Sequence, residues 1–469
     1  MTMRTSRLAG RVLPAAAAAL LALALLSPAP APGQGTRKQP DFIPAGYDDY
    51  QNMLDQLGIK KVRRGRDARV KDTSDEATAN PYKDSMPDLM TFKDGTKVKT
   101  ADQWPKRRAE IVEAFEREVY GRVPKNVPRV KWEVTKTDEG ESGGVATVTK
   151  TLVGNVDNSA FPQIKVAIQA SFTVPRHAAG KVPLILQFGF GGFGRRGGAS
   201  SWTQQALDKA WAYGTVNPNS VQPDNSRLRE GIIGLTNKGQ PRGPEDWGAL
   251  RAWAWGVSRL IDYFEDHPES GVDAKKVCIT GVSRYGKAAL VTTAFDERVA
   301  AGFVASSGAG GAKLFRRDFG ELLENLASRG GYHWMAGNFL KYAADEGKLG
   351  KKTVADLPVD QHMLIALCAP RPCFISYGVP EKGDPNWVDA HGSFMATVLA
   401  GPAYRLLGKK DLGTPGDYLT DNMPAVSTLI GGELAWRQHD GGHTNVPNFP
   451  AFYEWAGRYV STPGPDKKK

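Results

Sequence analysis

Cysteine is scarce: the 469-residue chain carries three, Cys278, Cys368 and Cys373, too few for the paired framework that staples small exported domains. Cys278 sits in an apolar run and reads as a small buried residue. Cys368 and Cys373 either pair across the Ala-Pro-Arg-Pro turn between them or stay as free thiols. A basic stripe interleaved with aromatics is also missing. The formal charge is +11, but Arg4, Arg7, Arg11 and the terminal Lys467 to Lys469 supply six of it and leave a body near +5. That spread argues against nucleic acid as a partner. It fits ordinary solubility, or a leaning toward acidic polysaccharide. No fixed-period repeat is visible, and after Leu26 no segment is apolar enough to span a bilayer.

What is present begins with a leader. Residues 1–35 run from the three arginines through an apolar stretch, Leu13 to Leu26, to a small-residue exit, Ser-Pro-Ala-Pro-Ala-Pro-Gly-Gln. This is the layout of a secretory signal peptide, and its apolar core is shorter than the ~20 residues of a membrane span. The expectation is a secreted or periplasmic protein, cut near residues 32–36, with no stable membrane insertion. Residues 36–100 are polar and Pro-rich, with one amphipathic piece at Tyr47 to Leu57; they read as an arm wrapping the main domain. Residues 101–463 are expected to form one catalytic domain, and 464–469 a basic tail.

Inside that domain, Ile111, Phe115 and Val119 recur at helical spacing in a helix opened by Trp104 and stopped at Gly121 to Pro124. Strand-like runs follow at Val130 to Thr135, Gly144 to Leu152, Ile164 to Val174 and Val182 to Phe188, then a glycine-rich loop, Gly189 to Gly198. That loop is either a connector or the lining of a cleft that lends a backbone N–H. A long helix at Trp247 to Phe264 leads to further strands at Val277, Val299 to Ser306, Pro372 to Gly378 and Ser427 to Leu434. Strand and helix in alternation predict an α/β class chain with a mostly parallel central sheet and helices on both faces.

Residues 277–290 read Val-Cys-Ile-Thr-Gly-Val-Ser-Arg-Tyr-Gly-Lys-Ala-Ala-Leu. A strand here delivers Ser283 onto a sharp turn before a helix, as a serine nucleophile requires. The second glycine, Gly286, stands one place later than in the common Gly-x-Ser-x-Gly elbow. Such a serine needs a base. Of seven histidines, His443 lies on a glycine-flanked loop, Gln-His-Asp-Gly-Gly-His, beyond the last strand. His439 is its local rival and reads as a shaper of that loop.

The elbow string resembles the Gly-Cys-Ser-Arg-x-Gly-Lys signature of the glucuronoyl esterases, carbohydrate esterase family fifteen, with Val282 in place of the cysteine. Val282 excludes the elbow disulfide of fungal members, so the bacterial type is implied. The resemblance spans roughly residues 100–460 and implies an α/β-hydrolase fold. It implies hydrolysis of glucuronoyl esters, the links between glucuronoxylan and lignin alcohols, by a route that needs no metal or organic cofactor. A monomer is expected.

Many members carry the triad acid in a Glu-Ser-Gly-Ala-Gly-Gly string; here the match is Ser306-Ser-Gly-Ala-Gly-Gly311, without the carboxylate. The acid is therefore expected in the next strand-end loop, Glu381 first because it lies nearest the strand, Asp384 second, although both could simply cap the turn. By resemblance Arg284 stabilises the oxyanion, where the plainer reading is a salt bridge at the helix start. Lys287 and Glu321 would bind sugar hydroxyls, and Trp387 would face the pyranose; the plainer alternatives are surface charges and a packed aromatic. The pair His333-Trp334 reads as packing. Alternatives in function are an acetyl xylan or other uronate or carbohydrate esterase, or an inactive carbohydrate-binding scaffold, since the usual acid is absent.

Overall fold

The computed structural model describes residues 39–68, 74–189 and 202–460. The leader, the tail at 464–469 and all but the first residue of the Gly189 to Gly198 loop lie outside the described residues.

The strands are β1 (Ile59–Val62), β2 (Val130–Ser142), β3 (Val145–Val156), β4 (Ala167–Pro175), β5 (Val182–Phe188), β6 (Ala212–Val216), β7 (Val272–Val282), β8 (Ala301–Ala305), β9 (Ala344–Gly347), β10 (Cys373–Tyr377), β11 (Ile430–Gly431) and β12 (Leu434–Gln438). Among the described residues one ten-stranded sheet runs in the order β11-β12-β10-β8-β7-β5-β6-β4-β3-β2, and β1 pairs with β9 alone. From β12 to β6 the strands are parallel. Antiparallel β4, β3 and β2 extend one side, and the short β11 closes the other. This is the mostly parallel α/β arrangement expected from the alternation of elements, and the α/β-hydrolase fold that the resemblance implies.

The parallel strands read as apolar because both faces are covered. In β5, Val182, Leu184, Ile185, Leu186 and Phe188 are all buried, as an interior parallel strand requires. The helix Ala249–Asp266 buries Leu250, Trp253, Val257, Leu260, Ile261 and Phe264. The helix Phe449–Val460 covers the other face, stacking Phe452 on Phe303 of β8 at 4.8 Å. By contrast β2, joined to β3 through Gly143 and Gly144 at positive φ, is largely exposed, the form of a hairpin at a sheet edge.

Two points of the strand reading need correction. The last strand is β12, beginning at Leu434 where the sequence pattern placed its end; the apolar Leu429-Ile430 pair belongs instead to the edge strand β11 and the segment before it. β6 was not foreseen, because Ala-Tyr-Gly-Thr-Val carries little apolar bulk. The cysteines are all free and buried.

The N-terminal segment runs along the domain surface through specific contacts. The Tyr50 hydroxyl donates to the Ala327 carbonyl, Arg63 pairs with Glu324 at 2.9 Å, and Arg66 pairs with Asp318 at 2.8 Å.

Candidate active site

Strands β7, β8, β10 and β12 lie near one another and parallel, so their carboxyl ends open on one rim, where α/β sheets place their chemistry. Ser283, Ser306, the 378–389 loop and the 439–443 loop leave from those four ends in turn.

Ser283 has φ 61° and ψ −129°, a strained conformation for a residue with a side chain and typical of functional turns. Two glycines make the turn possible. A Cβ on Gly281 would lie 2.3 Å from the Tyr285 carbonyl oxygen, and one on Gly286 would lie 2.4 Å from that of Ala305. The displaced second glycine is therefore where the new helix crosses β8. The Ser283 N–H donates to the Ala305 carbonyl at 3.1 Å, and the Ser283 carbonyl accepts from Lys287 N–H to open the helix Arg284–Phe295.

His443 Nδ1 stands 2.6 Å from Asp384 Oδ1. The Asp384 side chain is 2% exposed, and its Oδ2 accepts from Ser306 Oγ and from the Gly378 N–H, each at 2.7 Å. A buried carboxylate with three such partners is fixed in orientation. The preference for Glu381 is thereby corrected. Glu381 is exposed in the short 3₁₀ turn Pro380–Lys382, and the chain folds back after it, Asp384 N–H donating to the Val379 carbonyl at 3.1 Å. Nearness to the strand end in sequence put Glu381 on the outside of the turn.

The two loops meet main chain to main chain. A Cβ on Gly378 would lie 2.3 Å from the Gly441 carbonyl oxygen, and one on Gly442 would lie 2.3 Å from that of Lys382. Val379 N–H donates to Gly441 at 2.8 Å. His439 is buried inside its loop, with Nε2 2.8 Å from the Thr444 carbonyl, and burial lowers its pKa.

Arg284 extends from the helix start to Asp224, Nη1 to Oδ2 at 2.8 Å, and its guanidinium lies 5.4 Å from the Trp334 ring centre. Asp224 Oδ1 also accepts from Trp334 Nε1 at 2.6 Å and meets His333 Nε2 at 2.9 Å. Burial pushes the Asp224 carboxyl up, but the His333 hydrogen bond and the Arg284 charge outweigh it and hold it at about 2. Burial lowers the His333 pKa against the pull of Asp224. Thus His333 and Trp334, read from sequence as packing, carry polar contacts. Asp224 was not foreseen, because it lies 60 residues from Arg284 in a loop with no motif.

Lys287 is buried, its Nζ 2.6 Å from Glu321 Oε2 and 2.5 Å from the Ala309 carbonyl. Burial lowers its pKa, and Glu321 opposes that. Glu321 N–H donates to the Trp387 carbonyl at 2.8 Å, so the loop bearing Trp387 is tied to the Lys287–Glu321 pair. The structure thus joins His443 to Asp384 and carries Ser283 on the same rim of strand ends, with Arg284 and Lys287 on the helix that Ser283 opens and Glu321 and Trp387 tied to Lys287. An elbow hydroxyl with a His–Asp couple on neighbouring strand ends is the equipment of acyl transfer.

Comparison with known proteins agrees. Residues 163–408 match the family described as glucuronyl esterase, fungi. A CE15 glucuronoyl esterase from Teredinibacter turnerae is 38% identical, with a TM-score of 0.79, over 87% of this chain and 98% of that one. A carbohydrate esterase from an unknown prokaryotic organism is 31% identical over 82% of this chain and 92% of its own length. A 4-O-methyl-glucuronoyl methylesterase of Cerrena unicolor is 29% identical over 70% of this chain and 63% of its own. The chain belongs to the glucuronoyl esterases of carbohydrate esterase family fifteen and is a carboxylic ester hydrolase.

Proposed function

We propose that this enzyme cleaves the ester between a glucuronic acid carboxyl on xylan and a lignin alcohol, through an acyl-enzyme on Ser283. The observation that carries this is the His443–Asp384 couple at 2.6 Å on strand ends beside the strained Ser283 turn. Ser283 Oγ attacks the carbonyl as His443 Nε2 takes its proton; Asp384 keeps the proton on Nδ1 and balances the imidazolium. His443 then protonates the departing alcohol, and in a second half-reaction activates water that releases the glucuronate.

Arg284 is the side-chain donor for the oxyanion, since a guanidinium beside a developing alkoxide gains strength in a water-poor cleft. Lys287 and Glu321 hold the sugar hydroxyls and Trp387 covers the ring. With Asp384 in place, the missing glutamate at position 306 no longer argues for an inert scaffold. Export fits the leader at 1–35, and among the described residues no helix is long and apolar enough to cross a membrane. The body from about residue 36 is taken as an arm to residue 100 followed by the catalytic domain to 463, acting as a monomer.

The test is turnover of benzyl glucuronate beside p-nitrophenyl acetate, with diisopropyl fluorophosphate as a label. Preferred cleavage of the glucuronate and an adduct on Ser283 are expected. Preference for the acetyl ester would turn the reading toward an acetyl xylan type of esterase, and no adduct with no turnover would leave a binding scaffold. N-terminal sequencing of exported protein should begin near residues 32–36.

A further inference from the structure

We infer that Asp224, with His333 and Trp334 behind it, is the positioning group for Arg284: it fixes the guanidinium where the oxyanion forms. The inference rests on the oxyanion reading of Arg284 given above. An arginine on a surface helix turn keeps much rotamer freedom, and a charge stabilises a transition state well only when its direction is set beforehand. Arg284 is 37% exposed along its side chain, so packing alone does not set it. Among the described residues its one hydrogen bond is Nη1 to Asp224, which leaves its other donors for an incoming oxygen.

The anchor is itself held from three sides. The indole and imidazole N–H groups of Trp334 and His333 occupy Oδ1, which leaves Oδ2 for Arg284. The Asp224 N–H donates to Asn219 Oδ1 at 2.9 Å, and the loop before it is tied by Trp253 Nε1 to the Gln222 carbonyl at 2.9 Å. The His333-Trp334 turn is gripped by Arg242, 1% exposed, through the carbonyls of Met335 and Tyr332. A Cβ on Gly248 would lie 2.3 Å from the Trp334 carbonyl oxygen, so the helix Ala249–Asp266 starts directly against the same turn. The Trp334 ring also lies 5.9 Å from Lys287 Nζ, and so one indole backs both cations. Such an arrangement spends two ring donors and a carboxylate on one partly exposed arginine, more than a helix-start salt bridge needs.

The experiment is a double-mutant cycle on benzyl glucuronate with Asp224→Ala, Arg284→Ala and both, plus rescue by millimolar guanidinium chloride. Asp224→Ala should lower kcat by about tenfold to 10²-fold with KM within about twofold, and should cost nothing further once Arg284 is gone. Guanidinium should restore part of kcat to Arg284→Ala, docking on Asp224, and should fail in the double variant. Asp224→Asn, which keeps the shape and one acceptor oxygen, replaces Asp224→Ala in the cycle if the latter does not fold. Effects that multiply, or equal rescue in both backgrounds, would overturn the coupling while leaving Arg284 its role. Full kcat in Arg284→Ala would overturn the oxyanion reading itself, and the positioning role with it.

Discussion

Ser306 Oγ lies 2.7 Å from Asp384 Oδ2 and donates to it. The residue that occupies the place of the family's glutamate thus holds the carboxylate proposed as the triad acid. Ser306 is fully buried, with φ 41°, and its own N–H donates to the Ser376 carbonyl at 2.8 Å. Position 306 and position 384 therefore reach the same point in space from the ends of β8 and β10. Removing the hydroxyl in Ser306→Ala should reduce kcat by about three- to tenfold and stability by ~1–3 kcal/mol, the scale of one lost hydrogen bond to a buried charge. Steady-state kinetics and urea unfolding check both numbers.

Ser283→Ala and His443→Ala should each remove more than about 10³-fold of kcat, since triad members act as a unit. The circular dichroism spectrum should not change. A residual rate within about tenfold of wild type would take that residue out of the triad.

Asp384→Asn should cost about 10³-fold or more in kcat, because an amide leaves the imidazole without a charge partner and favours the wrong tautomer. Glu381→Gln should stay within about twofold of wild type, as befits an exposed turn residue. Parallel kcat measurements on the two variants decide between them, and a reversal would return the acid to Glu381.

A pH effect on stability should trace to Lys313. It is buried, donates to the carbonyls of Arg317 and Glu321 at 2.9 and 2.6 Å, and burial brings its pKa down to about 8. Its folded pKa lies below the unfolded value of about 10.4, so between roughly pH 8 and 10 the unfolded chain binds more protons and stability rises with pH. Lys313→Met should flatten that rise by about 2–3 kcal/mol relative to wild type. Urea midpoints at pH 7.5 and 10 for both proteins give the difference.

The proposed nucleophile and base could be picked from sequence because both stand in glycine-framed strings, and a glycine frame is a local statement about backbone. The proposed acid could be placed only to within a turn. Which carboxylate faces inward depends on the 3₁₀ turn Pro380–Lys382 and its fold back to Val379, which residue spacing does not encode. Asp224 left no signal, since its meaning comes from Arg284, His333 and Trp334, all far away in sequence. In the fold, the thick apolar β5 announced itself, whereas β6, with Gly214 against the Ser171 carbonyl, gives bulk up to its neighbours and reads as nothing in particular.

The glycine contacts between the acid loop and the histidine loop have a mechanical consequence. Because Gly378 lies against Gly441 and Gly442 lies against Lys382 with no side chain between them, the separation of Asp384 from His443 is a distance between two main chains. A methyl group at Gly442 would act as a spacer and would lengthen a 2.6 Å hydrogen bond without touching either of its partners. The proton relay is thus most exposed to damage at residues that have nothing to titrate.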